Sequence, residues 1–141
     1  MDPTARRILI VDDEPPLLRL MSLYLGRLGY SVTAVDGTDK AWAMVEAAPS
    51  AFDVAVLDGS MAGMSMEELA SRLLNANPSL CILTASGYPV DITALSAKAP
   101  GRVGFLLKPF TPQSLASAVG GLIAAQEKEL RSGEGSEGHR A

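Results

Sequence analysis

The residues best suited to chemistry in this 141-residue chain are carboxylates, hydroxyls and one lysine, placed just after apolar runs. Asp12, Asp13 and Glu14 follow Ile8 to Val11, and Asp58 and Ser60 follow the run 53–57. Thr84 and Ser86 stand at the end of the run that begins at Leu80, and Lys108 follows Val103 to Leu107. Carboxylates this close raise one another's pKa unless a cation neutralises them. Oxygen-only ligands on loops suit Mg²⁺, which keeps several waters and is completed by a phosphoryl group. Lysine and a hydroxyl can donate to phosphoryl oxygens. A carboxylate beside them can act as a nucleophile toward phosphorus. These residue types describe a Mg²⁺-dependent site that forms or holds an acyl phosphate.

Such a site requires elements that bring distant segments to one place. The runs 8–11, 31–35, 53–57, 80–84 and 103–107 are strand-sized and nearly continuous in apolar residues, as expected of parallel strands covered on both faces. Helical stripes lie between them: Leu18, Met21, Leu25 and Leu28, then Ala41, Met44, Val45 and Ala48, then Met66, Leu69 and Leu73. Leu115, Ala118, Val119 and Leu122 make the last stripe, with Thr111 as N-cap and Pro112 at the first helical position. The segment 89–101 reads as a shorter helix. Five strands alternating with five helices predict an open, doubly wound α/β sheet with right-handed crossovers. Ligands of such sheets bind at the carboxyl ends of the strands, near the point where strand order reverses. The acids, a hydroxyl and the lysine therefore converge on one rim. From Gln126 onward apolar content falls, which predicts a domain over 1–125 and a polar, disordered tail over 126–141.

Composition narrows the class. Hydrophobic residues at 48% can fill a core, and 12 Lys+Arg against 16 Asp+Glu give a net charge of −4 with no basic block. Direct nucleic-acid binding is not expected of such a chain. The single cysteine, Cys81, rules out an internal disulfide and fits a reducing compartment. No apolar run reaches membrane-spanning length, so a cytoplasmic location is expected.

Four segments, ILIVDDEP, DVAVLDGSM, ILTASGYP and GFLLKPF, occur in that order. Together they resemble the receiver domain of two-component response regulators, over residues 7–124. The resemblance implies a flavodoxin-like fold with strand order 2-1-3-4-5. It implies Asp58 as phosphoacceptor, Asp13 as a direct Mg²⁺ (or Mn²⁺) ligand, Asp12 acting mainly through water, and the Ser60 carbonyl as a further ligand. Lys108 would pair with the phosphoryl group, and the Lys108-Pro109 bond would be cis. Ser86 would be the switch hydroxyl, with Thr84, one pleat earlier, as the alternative. Phe105 takes the aromatic switch position, and Ser60 and Tyr88 the positions that tune phosphoryl lifetime. The implied donor is phosphohistidine on a histidine kinase or histidine phosphotransfer protein, since His139 falls in the segment expected to be a tail and not in a helix. The implied output is a switch read by a downstream protein, or by a second copy, through helix 4, strand 5 and helix 5. Such a domain catalyses its own phosphorylation and dephosphorylation but is not otherwise an enzyme. It works alone or as the receiver of a hybrid kinase. Ala62, Met66 and Phe105 depart from the family's frequent proline, glycine and tyrosine.

Simpler readings exist for each residue alone. Asp13 or Glu14 could cap the first helix, with Glu14 no more than first-turn charge, Asp58-Gly59 could be an ordinary turn, and Lys108 a solvated lysine. It is their joint register at the ends of strands one, three, four and five that points to a site. Two other classes share parts of the pattern. One is a phosphorylation-independent interaction module of the same fold. The other is an aspartyl-nucleophile phosphatase, whose nucleophile follows the first strand with a second aspartate two residues on, where Asp58 has Ser60.

Overall fold

The structure, a computed structural model, describes residues 5–59 and 63–140, with side chains as far as residue 129. Its elements alternate as β1 (Arg7–Val11), α1 (Pro15–Arg27), β2 (Ser31–Val35), α2 (Thr38–Ala47), β3 (Val54–Asp58), α3 (Met66–Ala76), β4 (Cys81–Ser86), α4 (Thr93–Lys98), β5 (Val103–Leu107) and α5 (Pro112–Arg140). All strand pairs are parallel, in the order β2-β1-β3-β4-β5. Strand order reverses between β1 and β3, which pair with Ile8 opposite Val54 and Val11 opposite Leu57.

Alternate residues of each strand feed two cores. Leu9, Val11, Ala55, Leu57 and Ile82 pack under α2, α3 and α4 with Val45, Leu69, Leu73 and Leu95. Ile8, Ile10, Val54, Val56, Cys81 and Leu83 pack under α1 and α5 with Met21, Leu25, Leu115, Val119 and Leu122. Strands covered on both faces need apolar side chains at every position, which is why their sequences do not alternate. The helical stripes are narrower than their spacing suggests. Leu28 is the C-cap of α1 and 51% exposed, because Gly29 turns the chain with φ of 100°. The helix expected over 89–101 forms only at Thr93–Lys98.

The largest departure from expectation lies after residue 125. Helix α5 continues through the segment expected to fray and become a tail. Residues 126–129 of this extension are held by a polar clamp at the amino-terminal edge of the sheet. Gln126 is buried, and its amide nitrogen donates to the carbonyls of Ser79 (2.6 Å) and Asp53 (3.2 Å). Arg102 is buried too, donating to the Leu80 carbonyl at 2.9 Å and to Glu129 at 2.9 Å. Glu127 pairs with Arg6 at 2.7 Å. Composition hides these contacts because polar side chains are serving buried carbonyls. A chain ending at residue 125 is expected to lose about 2–4 kcal/mol of unfolding free energy relative to one ending at 130. Urea denaturation of the two chains checks this, and equal midpoints would show that the clamp contributes nothing.

Candidate phosphoryl-transfer and metal site

The pleat aims the chemical residues. Asp12 continues the Ile8-Ile10 side of β1, Asp58 the Val54-Val56 side of β3, and Lys108 the Leu106 side of β5, all on the α1/α5 face. Side chains two residues apart share a face, so these three groups leave the sheet on the same side at the same rim. Thr84 and Ser86 continue the Ile82 side of β4, toward α4.

Lys108 joins the acids. Its Nζ lies 3.2 Å from Asp58 Oδ1, 3.3 Å from Asp12 Oδ2 and 3.4 Å from Glu14 Oε1. The side chains of Asp12 and Asp58 are 2% and 1% exposed, whereas that of Glu14 is 61% exposed. Three carboxylates thus share one ammonium, and negative charge is left over. Burial pushes the Asp12 carboxyl above the usual range, and the Asp58 charge adds to this. The Glu14 N–H and Lys108 act in the opposite direction without cancelling it. Burial alone would lower the Lys108 pKa, but the charges of Asp12 and Asp58 carry it above its ordinary value. The lysine is therefore a fixed cation.

Asp12 also sets the turn into α1. Its Oδ1 accepts the Glu14 N–H at 2.9 Å, and Pro15 and Pro16 open the helix. Glu14 is the N-cap residue but makes no side-chain cap bond. The turn instead carries its carboxylate over the rim. Ligand oxygens of Asp12, Glu14 and Asp58 all lie within 4.8 Å of one another, close enough to hold one metal ion. Sequence reasoning gave that third place to Asp13 and left Glu14 as helix charge. Asp13 is exposed and lies outside this group. The available signal was an Asp two residues before an acid at a strand-to-helix junction, the pattern of a side-chain-closed turn.

The two candidate hydroxyls differ in surroundings. Thr84 donates to the Gly104 carbonyl at 3.0 Å and so ties β4 to β5, opposite Phe105 in the register. Ser86 is fully buried, accepts from the Tyr88 N–H at 3.4 Å, and lies against Gly59, the residue after Asp58. A Cβ on Gly59 would come within 3.3 Å of the Ser86 Cβ, so the glycine admits the hydroxyl to the site. Phe105 is half-buried, and Tyr88 is 60% exposed. The Lys108-Pro109 bond is cis. Ser60 and Ala62 fall outside the described residues, while Met66 opens α3 as a buried core residue. Asp36, at the end of β2, pairs with Lys40 and takes no part.

A doubly wound sheet of order β2-β1-β3-β4-β5, whose strand ends gather buried carboxylates around one lysine at the switch point, defines a domain of the flavodoxin-like class. The family comparison agrees: residues 8–120 match the response regulator receiver domain, and the chain belongs to that family of two-component systems. Among curated relatives, the DNA-binding transcriptional regulator NtrC of Rhizobium meliloti is 27% identical over 89% of this chain and 25% of its own length. The DNA-binding response regulator MtrA of Mycolicibacterium smegmatis is 27% identical over 92% of this chain and 55% of its own. The chain therefore spans only about a quarter to a half of these relatives. A CheY-like receiver domain protein from Methanospirillum hungatei superposes with a TM-score of 0.79 at 26% identity, covering 89% of this chain and 99% of that one. A response regulator receiver protein from Sinorhizobium medicae gives 0.75 at 29% identity, with the same coverage. No helix among the described residues is long and apolar enough to cross a membrane.

Proposed function

We propose that the chain is a phosphorylation-dependent switch in which Asp58 accepts a phosphoryl group from phosphohistidine on a histidine kinase or histidine phosphotransfer protein. The observation that carries this reading is the Lys108 ammonium, 3.2 Å from Asp58 and 3.3 Å from Asp12 at the carboxyl rim of the sheet. The donor set is all oxygen and carries excess negative charge, which fits Mg²⁺ or Mn²⁺. Asp12 and Asp58 would hold the ion, with Asp13 and the Ser60 carbonyl completing the set that the family resemblance implies. A bound divalent ion supplies neutralisation of the carboxylates and of the phosphoryl oxygens.

The remaining work falls to this chain's own residues. Asp58 is fixed at the end of β3, so its approach to phosphorus needs little further ordering. Lys108 stabilises phosphoryl oxygens as charge redistributes. Ser86, already against Gly59, would bond the transferred group, leaving space for Phe105. The phosphoryl group must favour one arrangement of Ser86 and Phe105 over the other, since a ligand shifts an equilibrium only by its differential affinity. The face formed by α4, β5 and α5 would then meet a cytoplasmic target or a second copy. The domain catalyses only its own phosphorylation and dephosphorylation.

Incubation with acetyl phosphate, with and without Mg²⁺, read by intact mass, tests the reading. The expected result is a single phosphoryl adduct that EDTA prevents. Absence of any adduct would leave an interaction module that works without phosphorylation. Sustained turnover of unrelated phosphoesters would indicate a phosphatase.

A further inference from the structure

We propose that Glu14 is an electrostatic gate that sets which phosphoryl donors reach Asp58, an inference that rests on the phosphoacceptor reading above. Glu14 is the exposed member of the three carboxylates sharing Lys108, at 3.4 Å from Nζ with 61% of its side chain in solvent. The side chains of Asp12 and Asp58 are almost fully buried, so Glu14 is the carboxylate of the three that an approaching molecule meets first. The backbone of Glu14 is fixed by its N–H bond to Asp12 and by the prolines that follow. Its carboxylate is therefore held at the mouth of the site while remaining hydrated and able to swing.

Two consequences follow for an incoming phosphoryl group. The carboxylate repels a donor in proportion to the donor's negative charge, at a distance shorter than the screening length of physiological salt. It also competes with the phosphoryl oxygens for Lys108, because an ammonium paired with Glu14 must release it to serve the transferring group. A small free dianion meets both obstacles. A phosphorylated imidazole carried on a protein approaches with less net charge and with contacts of its own to offset the repulsion. Glu14 thus discriminates against small anionic donors.

The test compares two small donors at Mg²⁺ concentrations shown to saturate each variant. Acetyl phosphate is a dianion at neutral pH, and phosphoramidate, present as the ammonio form, carries one net negative charge. In each reaction an Asp58 carboxylate oxygen forms a bond to phosphorus as the donor's bond to phosphorus breaks. Acetate leaves from the first with the electron pair of the P–O bond. Ammonia leaves from the second with the pair of the P–N bond and its three protons. Rates of adduct formation on wild type, Glu14→Gln and Glu14→Lys are followed by intact mass.

Glu14→Gln is expected to raise the rate with acetyl phosphate more than the rate with phosphoramidate, so that the ratio of the two rates rises about threefold for the one unit of charge separating the donors. Glu14→Lys is expected to raise that ratio further, and added salt to shrink both differences. Glu14 is exposed, so both variants are expected to keep the wild-type melting curve. A ratio that stays constant across the variants would overturn the gate. So would a common slowing with both donors at saturating Mg²⁺, which would make Glu14 a metal ligand instead. Failure of wild type to take any adduct would overturn the phosphoacceptor reading and the gate with it.

Discussion

Asp58→Asn is expected to abolish the phosphoryl adduct while leaving the fold in place. Asparagine matches aspartate in size and keeps one carbonyl oxygen at the end of β3, beside Lys108. It loses the anionic oxygen that forms the bond to phosphorus, and an amide is too weak a nucleophile to replace it. Asp58 is 5% exposed as a residue and shares Lys108 with Asp12, so the substitution also removes a buried negative charge from a site already rich in it. The variant should therefore melt no lower than wild type. Intact mass after incubation with acetyl phosphate and Mg²⁺ checks the chemistry, and a thermal melt checks the fold. A well-folded Asp58→Asn protein that still takes the adduct at the wild-type rate would move the acceptor to another residue.

The second large effect concerns Asp12. Asp12→Asn should raise the stability of the metal-free protein and remove the stabilisation that Mg²⁺ gives. Burial, and then the Asp58 charge, lift the folded-state pKa of Asp12 above 3.8. The native state then binds more protons than the unfolded chain over that interval. Stability falls as pH rises from below 3.8 through the raised folded value, and the deficit persists at neutral pH. Asparagine removes this slope and still accepts the Glu14 N–H. For wild type, Mg²⁺ at a hundredfold excess over its Kd is expected to add about 2.7 kcal/mol, a rise of several degrees in Tm. That increment should shrink as pH falls through the raised Asp12 value, because a protonated Asp12 no longer attracts the cation. Melting curves with Mg²⁺ and with EDTA, on wild type and variant, measure both effects. Equal Mg²⁺ stabilisation of the two proteins would remove Asp12 from the cation site.

Much of this arrangement was legible from sequence, for identifiable reasons. The central strands are buried on both faces, so their apolar runs are unbroken and their ends are marked by the polar residues that follow. Asp12, Asp58 and Lys108 stand at those ends and meet at one rim, as their positions required. Glu14 was harder to place. Its approach to the site depends on a turn closed by the Asp12 side chain, and charge alone at a helix start looks the same whether it faces solvent or a lysine. The choice between Thr84 and Ser86 turns on geometry one pleat apart that the sequence does not carry: Thr84 donates to the Gly104 carbonyl, whereas Ser86 lies against Gly59. Residues 126–129 misled because burial was inferred from apolar character, whereas Gln126 and Arg102 are buried by the carbonyls they serve.

The common pleat side of Asp12, Asp58 and Lys108 bears on how the chain tolerates insertion and deletion. Each of the three is separated from the core residues before it by an even number of positions, as Asp58 is from Val56 and Val54. Loss or gain of one residue inside β1, β3 or β5 would reverse that count. The affected group would then face α2, α3 and α4, and its strand would present the wrong half of its side chains to each core. Changes of length in the connections at the opposite edge of the sheet leave this count intact, because it restarts with each strand. Within the three strands, length is as much a part of the site as the identity of the residues.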